Sequence, residues 1–67
     1  MEFDGFVRYA RRRLGKYFKR VEVEKWNGDR YVIVIVDKNI PEKFGNAVYN
    51  ELVKYVPRGY QFAMLVE

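Results

Sequence analysis

Apolar positions along this chain change period four times, and each stretch between changes reads as one element. From Phe3 to Phe18 they fall at 3, 6, 7, 10, 14, 17 and 18, the spacing of one face of a helix. Asp4 is placed to cap that helix and Gly15 to loosen its last turn. Arg20 to Lys25 then alternates, with Val21 and Val23 on one side and Arg20, Glu22 and Glu24 on the other, as a half-buried edge strand does. Tyr31 to Val36 is an unbroken run, Tyr-Val-Ile-Val-Ile-Val, in which every residue is aromatic or β-branched. Such residues fit a pleated surface, and the run is far short of the ~20 residues a membrane helix needs. A strand apolar on both faces belongs in the middle of its sheet.

Beyond it, Asn39-Ile40-Pro41-Glu42 has the form of a capping box with proline in the first turn. Ile40, Phe44, Ala47, Val48, Leu52 and Tyr55 continue at helical spacing to Val56, with Tyr49 and Val53 outside the stripe. Pro57-Arg58-Gly59 ends that helix. Tyr60 to Val66 alternates again, with Tyr60, Phe62, Met64 and Val66 on one face and Gln61, Ala63 and Leu65 on the other.

Asn27-Gly28 marks a hairpin between the first two strands. A two-residue loop would set Lys25 opposite Arg30. A three-residue loop, Trp26-Asn27-Gly28, sets Lys25 opposite Asp29 and Glu24 opposite Arg30, and cross-strand charge pairing favours it. That register groups Val21, Val23, Tyr31, Ile33 and Ile35 on one face, and Val32, Val34 and Val36 with Glu22 and Glu24 on the other.

The expected fold is a single domain, residues 1–67. It is an α+β two-layer sandwich of α-β-β-α-β order, with a three-stranded mixed sheet in the order 1-2-3 and two helices on one face. The uncovered face would then present Val32, Val34, Val36, Ala63 and Leu65, an apolar patch that a monomer seldom leaves in water. A homo-oligomer joined through those five residues is expected. Trp26, in the turn, is either an anchor for a partner or a ring folded back over its strand.

Composition narrows the chemistry. The 67 residues include no Cys, His, Ser or Thr and only one Gln, so disulfides, the usual nucleophiles and the usual general base are all missing. Glu22 and Glu24 point the same way and could act as an acid–base pair, but a solvated edge-strand face explains them better. The five glycines stand apart, without a phosphate-binding loop or the GxxG clamp that KH domains use. No catalytic residue, cofactor or metal is expected, and the protein is read as a non-enzyme. Charged residues at 33%, with few labile side chains, fit a protein built for high temperature. The acidic start, Met1-Glu2-Phe3-Asp4, lacks a signal pattern, so a cytoplasmic protein without membrane association is expected.

Charge distribution gives the one functional pointer. Residues 1–20 carry seven basic side chains against two acidic ones, whereas residues 21–67 carry six against seven. Arg8, Arg11, Arg12, Arg13, Lys16, Lys19 and Arg20 would form a basic back on the first helix, suited to the phosphates of DNA or RNA, with Tyr9 or Trp26 available for stacking. A small nucleic-acid-binding module, of the kind a regulator would use, is the expected function. The alternative is a non-enzymatic homo-oligomeric interaction module working through its apolar sheet face. A nuclease using Arg, Lys and Tyr ranks a distant third.

Overall fold

The computed structural model describes residues 3–67, and its elements follow in the expected order. Helix α1 spans Asp4–Leu14, β1 Phe18–Trp26, β2 Asp29–Val36, α2 Glu42–Leu52 and β3 Tyr60–Val66. Short 3-10 turns, Gly15–Tyr17 and Val53–Tyr55, extend the two helices. The sheet order is β1-β2-β3, antiparallel in the first pair and parallel in the second. This is the α+β sandwich with a mixed sheet that the sequence implies. Because α2 crosses over the sheet between β2 and β3, those two strands run parallel. Met1 and Glu2, part of the stretch read as lacking a signal pattern, lie outside the described residues.

Element ends differ from the sequence reading at both ends of the first helix and both ends of the second, which stops at Leu52 and not at Val56. Helix α1 stops at Leu14, because Gly15 takes φ 57° and ψ −127°, a conformation open in practice only to glycine. Tyr17 and Phe18 therefore leave the helix, and Phe18 begins β1. At the other end Phe3 occupies the cap position without a side-chain bond, so Asp4 lies inside the first turn, where its charge complements the helix dipole. The capping box before α2 does not form. Pro41 holds the cap position without a side-chain bond, and the Asp37 carboxylate accepts the Asn39 N–H at 2.8 Å.

The hairpin decides which face of the sheet becomes the core. Its loop has two residues, not three: Trp26 pairs with Asp29 and Lys25 with Arg30. Asn27 and Gly28 both have positive φ, 56° and 85°, as a type I′ turn requires, and its twist matches that of the strands. Like charges do stand opposite each other, but Arg30 turns toward β3. Its guanidinium lies 4.6 Å from the centre of the Tyr60 ring, so it leaves Lys25. A turn with ideal chemistry outweighs exposed charge pairs worth a few tenths of a kcal/mol.

Shifting a register by one residue moves every side chain of a strand to the opposite face. Val32, Val34 and Val36 consequently face the helices, in line with Val21 and Val23 of β1 and with Tyr60, Phe62 and Met64 of β3. They pack with Phe6, Ala10 and Leu14 of α1 and with Val48 and Leu52 of α2. All three valines are fully buried, so they cannot form an exposed oligomer interface, and that expectation is corrected. Ala63 and Leu65 do lie on the uncovered face, beside Tyr31, Ile33 and Ile35.

That face is less open than the sequence suggests. Arg20 on β1 donates from Nε to Glu22 at 2.7 Å, and from Nη1 and Nη2 to Glu67 at 2.7 and 2.8 Å. Glu67 follows β3, so the guanidinium reaches across the central strand over Ile35, its neighbour in the register. Ile35 is only 3% exposed, although no helix covers it.

Candidate nucleic-acid interface

The early end of α1 divides the basic residues that the sequence placed on one helix. Arg8, Arg11, Arg12 and Arg13 stay on α1, Lys16 falls in the 3-10 turn, and Lys19 and Arg20 belong to β1. Lys19 occupies the irregularity where the register shifts between Phe18 and Arg20. The basic back expected on one helix is therefore split among α1, the 3-10 turn and β1.

Two of the seven are taken up by ion pairs that hold the fold together. Arg13 grips Glu51 of α2 with two hydrogen bonds, from Nε at 2.7 Å and from Nη2 at 2.6 Å. The Tyr9 hydroxyl donates to the same carboxylate at 2.7 Å, so Tyr9 is part of the α1–α2 seam and not a free stacking platform. The Arg13 guanidinium, helped by Tyr9, holds Glu51 well below the usual carboxylate range, at about 2. In turn Glu51 raises both Arg13 and Tyr9 above their ordinary values. Arg20 is committed to Glu67 and Glu22, and it lowers Glu67.

Arg8, Arg11, Arg12, Lys16 and Lys19 are all exposed and form no ion pair among the described residues. At 100° per residue Arg8 stands between Arg11 and Arg12 on the wheel of α1. On one flank, Arg11 and Lys19 line a shallow groove with Val7, Phe18, Val21 and Val23, and the Arg11 guanidinium rests 5.2 Å from the centre of the Phe18 ring. On the other flank, Arg12 lines a depression with Gly5, Phe6, Tyr9 and Tyr55. Lys16 lies apart, beside Tyr17, Asp37 and Asn39.

Tyr55 was not singled out by the sequence, where helical spacing assigns it to the buried stripe. In the structure it is 60% exposed, with its ring 5.2 Å from that of Tyr9. The tightening to a 3-10 turn over Val53–Tyr55, two residues before Pro57, moves it out of the stripe, and that proline is the only sequence signal. Trp26 is 66% exposed and lines a depression with Glu24, Tyr31 and Ile33 on the uncovered sheet face, remote from the basic groups of α1.

Glu22 accepts from Arg20, so Glu22 and Glu24 are not a matched acid–base pair. No group of three or more metal-ligating side chains occurs among the described residues, and no helix among them is long and apolar enough to cross a membrane. No family model, curated protein or solved structure matches the chain.

Proposed function

We propose that this protein is a nucleic-acid-binding module, not an enzyme, and that it holds the phosphate backbone through Arg8, Arg11, Arg12 and Lys19, with Lys16 at the margin. The observation that carries the reading is the division of the basic residues. Arg13 and Arg20 satisfy carboxylates within the fold, whereas the other five are left exposed without an acidic partner among the described residues. Exposed like charges clustered on α1 and the two elements that follow it repel one another, and a polyanion relieves that repulsion while releasing its counterions. Tyr55 beside Arg12 offers an exposed ring on which an unpaired base can stack.

Binding measured across salt concentrations tests this. Four phosphate contacts give a slope of log affinity on log salt of about −3 to −4 for duplex. Arg8→Glu with Arg12→Glu shrinks that slope and weakens binding alike on all sequences, because phosphate contacts position without specifying. Arg13→Gln leaves the slope unchanged, since that side chain is engaged with Glu51. Absence of binding to either DNA or RNA at low salt would refute the reading.

A second reading, a homo-oligomeric interaction module, draws on the exposed apolar side chains Trp26, Leu65 and Val66.

A further inference from the structure

The two edges of the sheet are built differently. β1 carries Lys19, Arg20, Glu22, Glu24 and Lys25 in nine residues and is interrupted at Lys19. These are the devices by which natural sheets keep an edge from pairing with another chain. β3, at the opposite edge, reads Tyr-Gln-Phe-Ala-Met-Leu-Val, without a charge, a proline or a break in register.

Its unused hydrogen-bonding groups can be assigned. The Glu67 N–H donates to the Val36 carbonyl at 2.9 Å, and the Glu67 carbonyl accepts from Lys38 at 3.2 Å, so both backbone groups of Glu67 point inward to β2. Alternation along the strand then turns Gln61, Ala63 and Leu65 inward, and Phe62, Met64 and Val66 outward. Tyr60 is outward as well, although its N–H is used locally by Pro57.

We infer that the outer edge of β3 is the docking surface for β3 of a second copy, antiparallel, in a continuous six-stranded sheet. The pattern is self-complementary about Ala63. Tyr60 falls opposite Val66 and Phe62 opposite Met64; the outward N–H and C=O groups of Phe62, Met64 and Val66, with the outward C=O of Tyr60, supply the bonds that such antiparallel pairs require. Apolar meets apolar on the helix side, and no charge meets a like charge.

A pair of seven-residue strands is narrow by itself, and α2 supplies width. Tyr49 lies on α2 about 160° around from Glu51, which faces α1, and Val53 opens the 3-10 turn that follows the helix. Tyr49 and Val53 are 39% and 46% exposed, and Tyr49 lines a groove with Met64 and Val66 along the β3 edge. With α2 seated over β2 and β3, a two-fold axis through the new strand pair sets the two α2 axes about 10 Å apart, a normal helix-packing distance. Tyr49 and Val66 lie together at this edge, and the Leu65 side chain is 52% exposed on the other face of the same strand. Both copies then present α1 on the same side of the sheet. The inference does not depend on nucleic-acid binding.

Light scattering coupled to size exclusion, on wild type at about 100 μM, should give twice the 8.1 kDa chain mass. Val66→Lys should return the mass to one chain, as should Met64→Pro, whose lost N–H points outward and is not needed within the chain. Circular dichroism of the Val66→Lys monomer should match wild type. Trp26→Glu, on the uncovered sheet face, should leave the dimer intact. Amide exchange at Phe62, Met64 and Val66 should be about 100-fold faster in Val66→Lys than in wild type. A wild-type mass of one chain overturns the inference. So does a dimer that Trp26→Glu dissociates and Val66→Lys does not, since the sheet face would then be the interface.

Discussion

Arg13 and Glu51 lock the two helices together through a two-pronged pair, 2.7 and 2.6 Å, in which the Tyr9 hydroxyl joins as a third donor. The pair is about one-third exposed, so it is partly screened by water. Its value lies in geometry as well as charge. A planar guanidinium facing a carboxylate along both edges fixes the relative rotation of α1 and α2.

That pairing sets a pH dependence. Glu51 titrates near 2 in the folded chain against an ordinary value of 4.5, with Arg13, Tyr9 and Lys54 facing it. A lowered carboxylate contributes stability that is complete above about 4.5 and is lost as pH falls toward 2. Melting temperature should therefore decline on acidification through that window. Glu51→Gln should melt a few degrees lower at neutral pH and show a shallower acid decline. Some decline should persist, because Glu67 is also lowered by Arg20. An unchanged acid profile in Glu51→Gln would show that the pair does not contribute.

The assignment of sheet faces can be checked by truncation. Val34 is fully buried beneath the helices and Leu65 is 52% exposed on the other side. Val34→Ala should cost about 2 kcal/mol in denaturant unfolding, from lost burial and the cavity left behind. Leu65→Ala should cost less than about 1 kcal/mol, as exposed substitutions do. Equal costs would contradict the register.

At the hairpin, Lys25 faces Arg30 in the register. Lys25→Glu should stabilise the protein by a few tenths of a kcal/mol, by placing an acidic side chain opposite Arg30. Gly28→Ala should destabilise by about 1 kcal/mol. No atom lies within 4 Å of the added Cβ, so the whole cost comes from φ 85°. Thermal or urea unfolding of the two variants reads both effects.

Removing the exposed Tyr55 ring should separate single strands from duplex. Tyr55→Ala should weaken binding to an unpaired oligonucleotide by about 1–3 kcal/mol for one stacked base, and leave duplex affinity nearly unchanged. Equal effects on both would mean that no base stacks there. Because Tyr55 is 60% exposed, the substitution should disturb packing little.

The order of elements, the central place of β2, the extent of β3 and the face it buries were all legible in the sequence, since period and β-branching act locally. Tyr49 and Val53 could also be placed outside the core stripe of α2 by spacing alone, and both are exposed. What spacing could not decide was the face that β2 turns to the helices. Tyr31–Val36 is apolar on both sides, so hydrophobic pattern does not choose between them, and the choice passes to the turn. Charges at Lys25, Asp29 and Arg30 argued for a longer loop, but Arg30 has a neighbour on β3, Tyr60, that no reading of the hairpin alone could supply. The same limit applies to the basic residues. Their number and clustering belong to the sequence, but their availability depends on Glu51 and Glu67, thirty-eight and forty-seven positions away from the arginines they bind. Only the packing of α1 on α2, and of β1 and β3 about β2, brings those carboxylates to Arg13 and Arg20. Tertiary structure thereby fixed which cations remain without an acidic partner among the described residues.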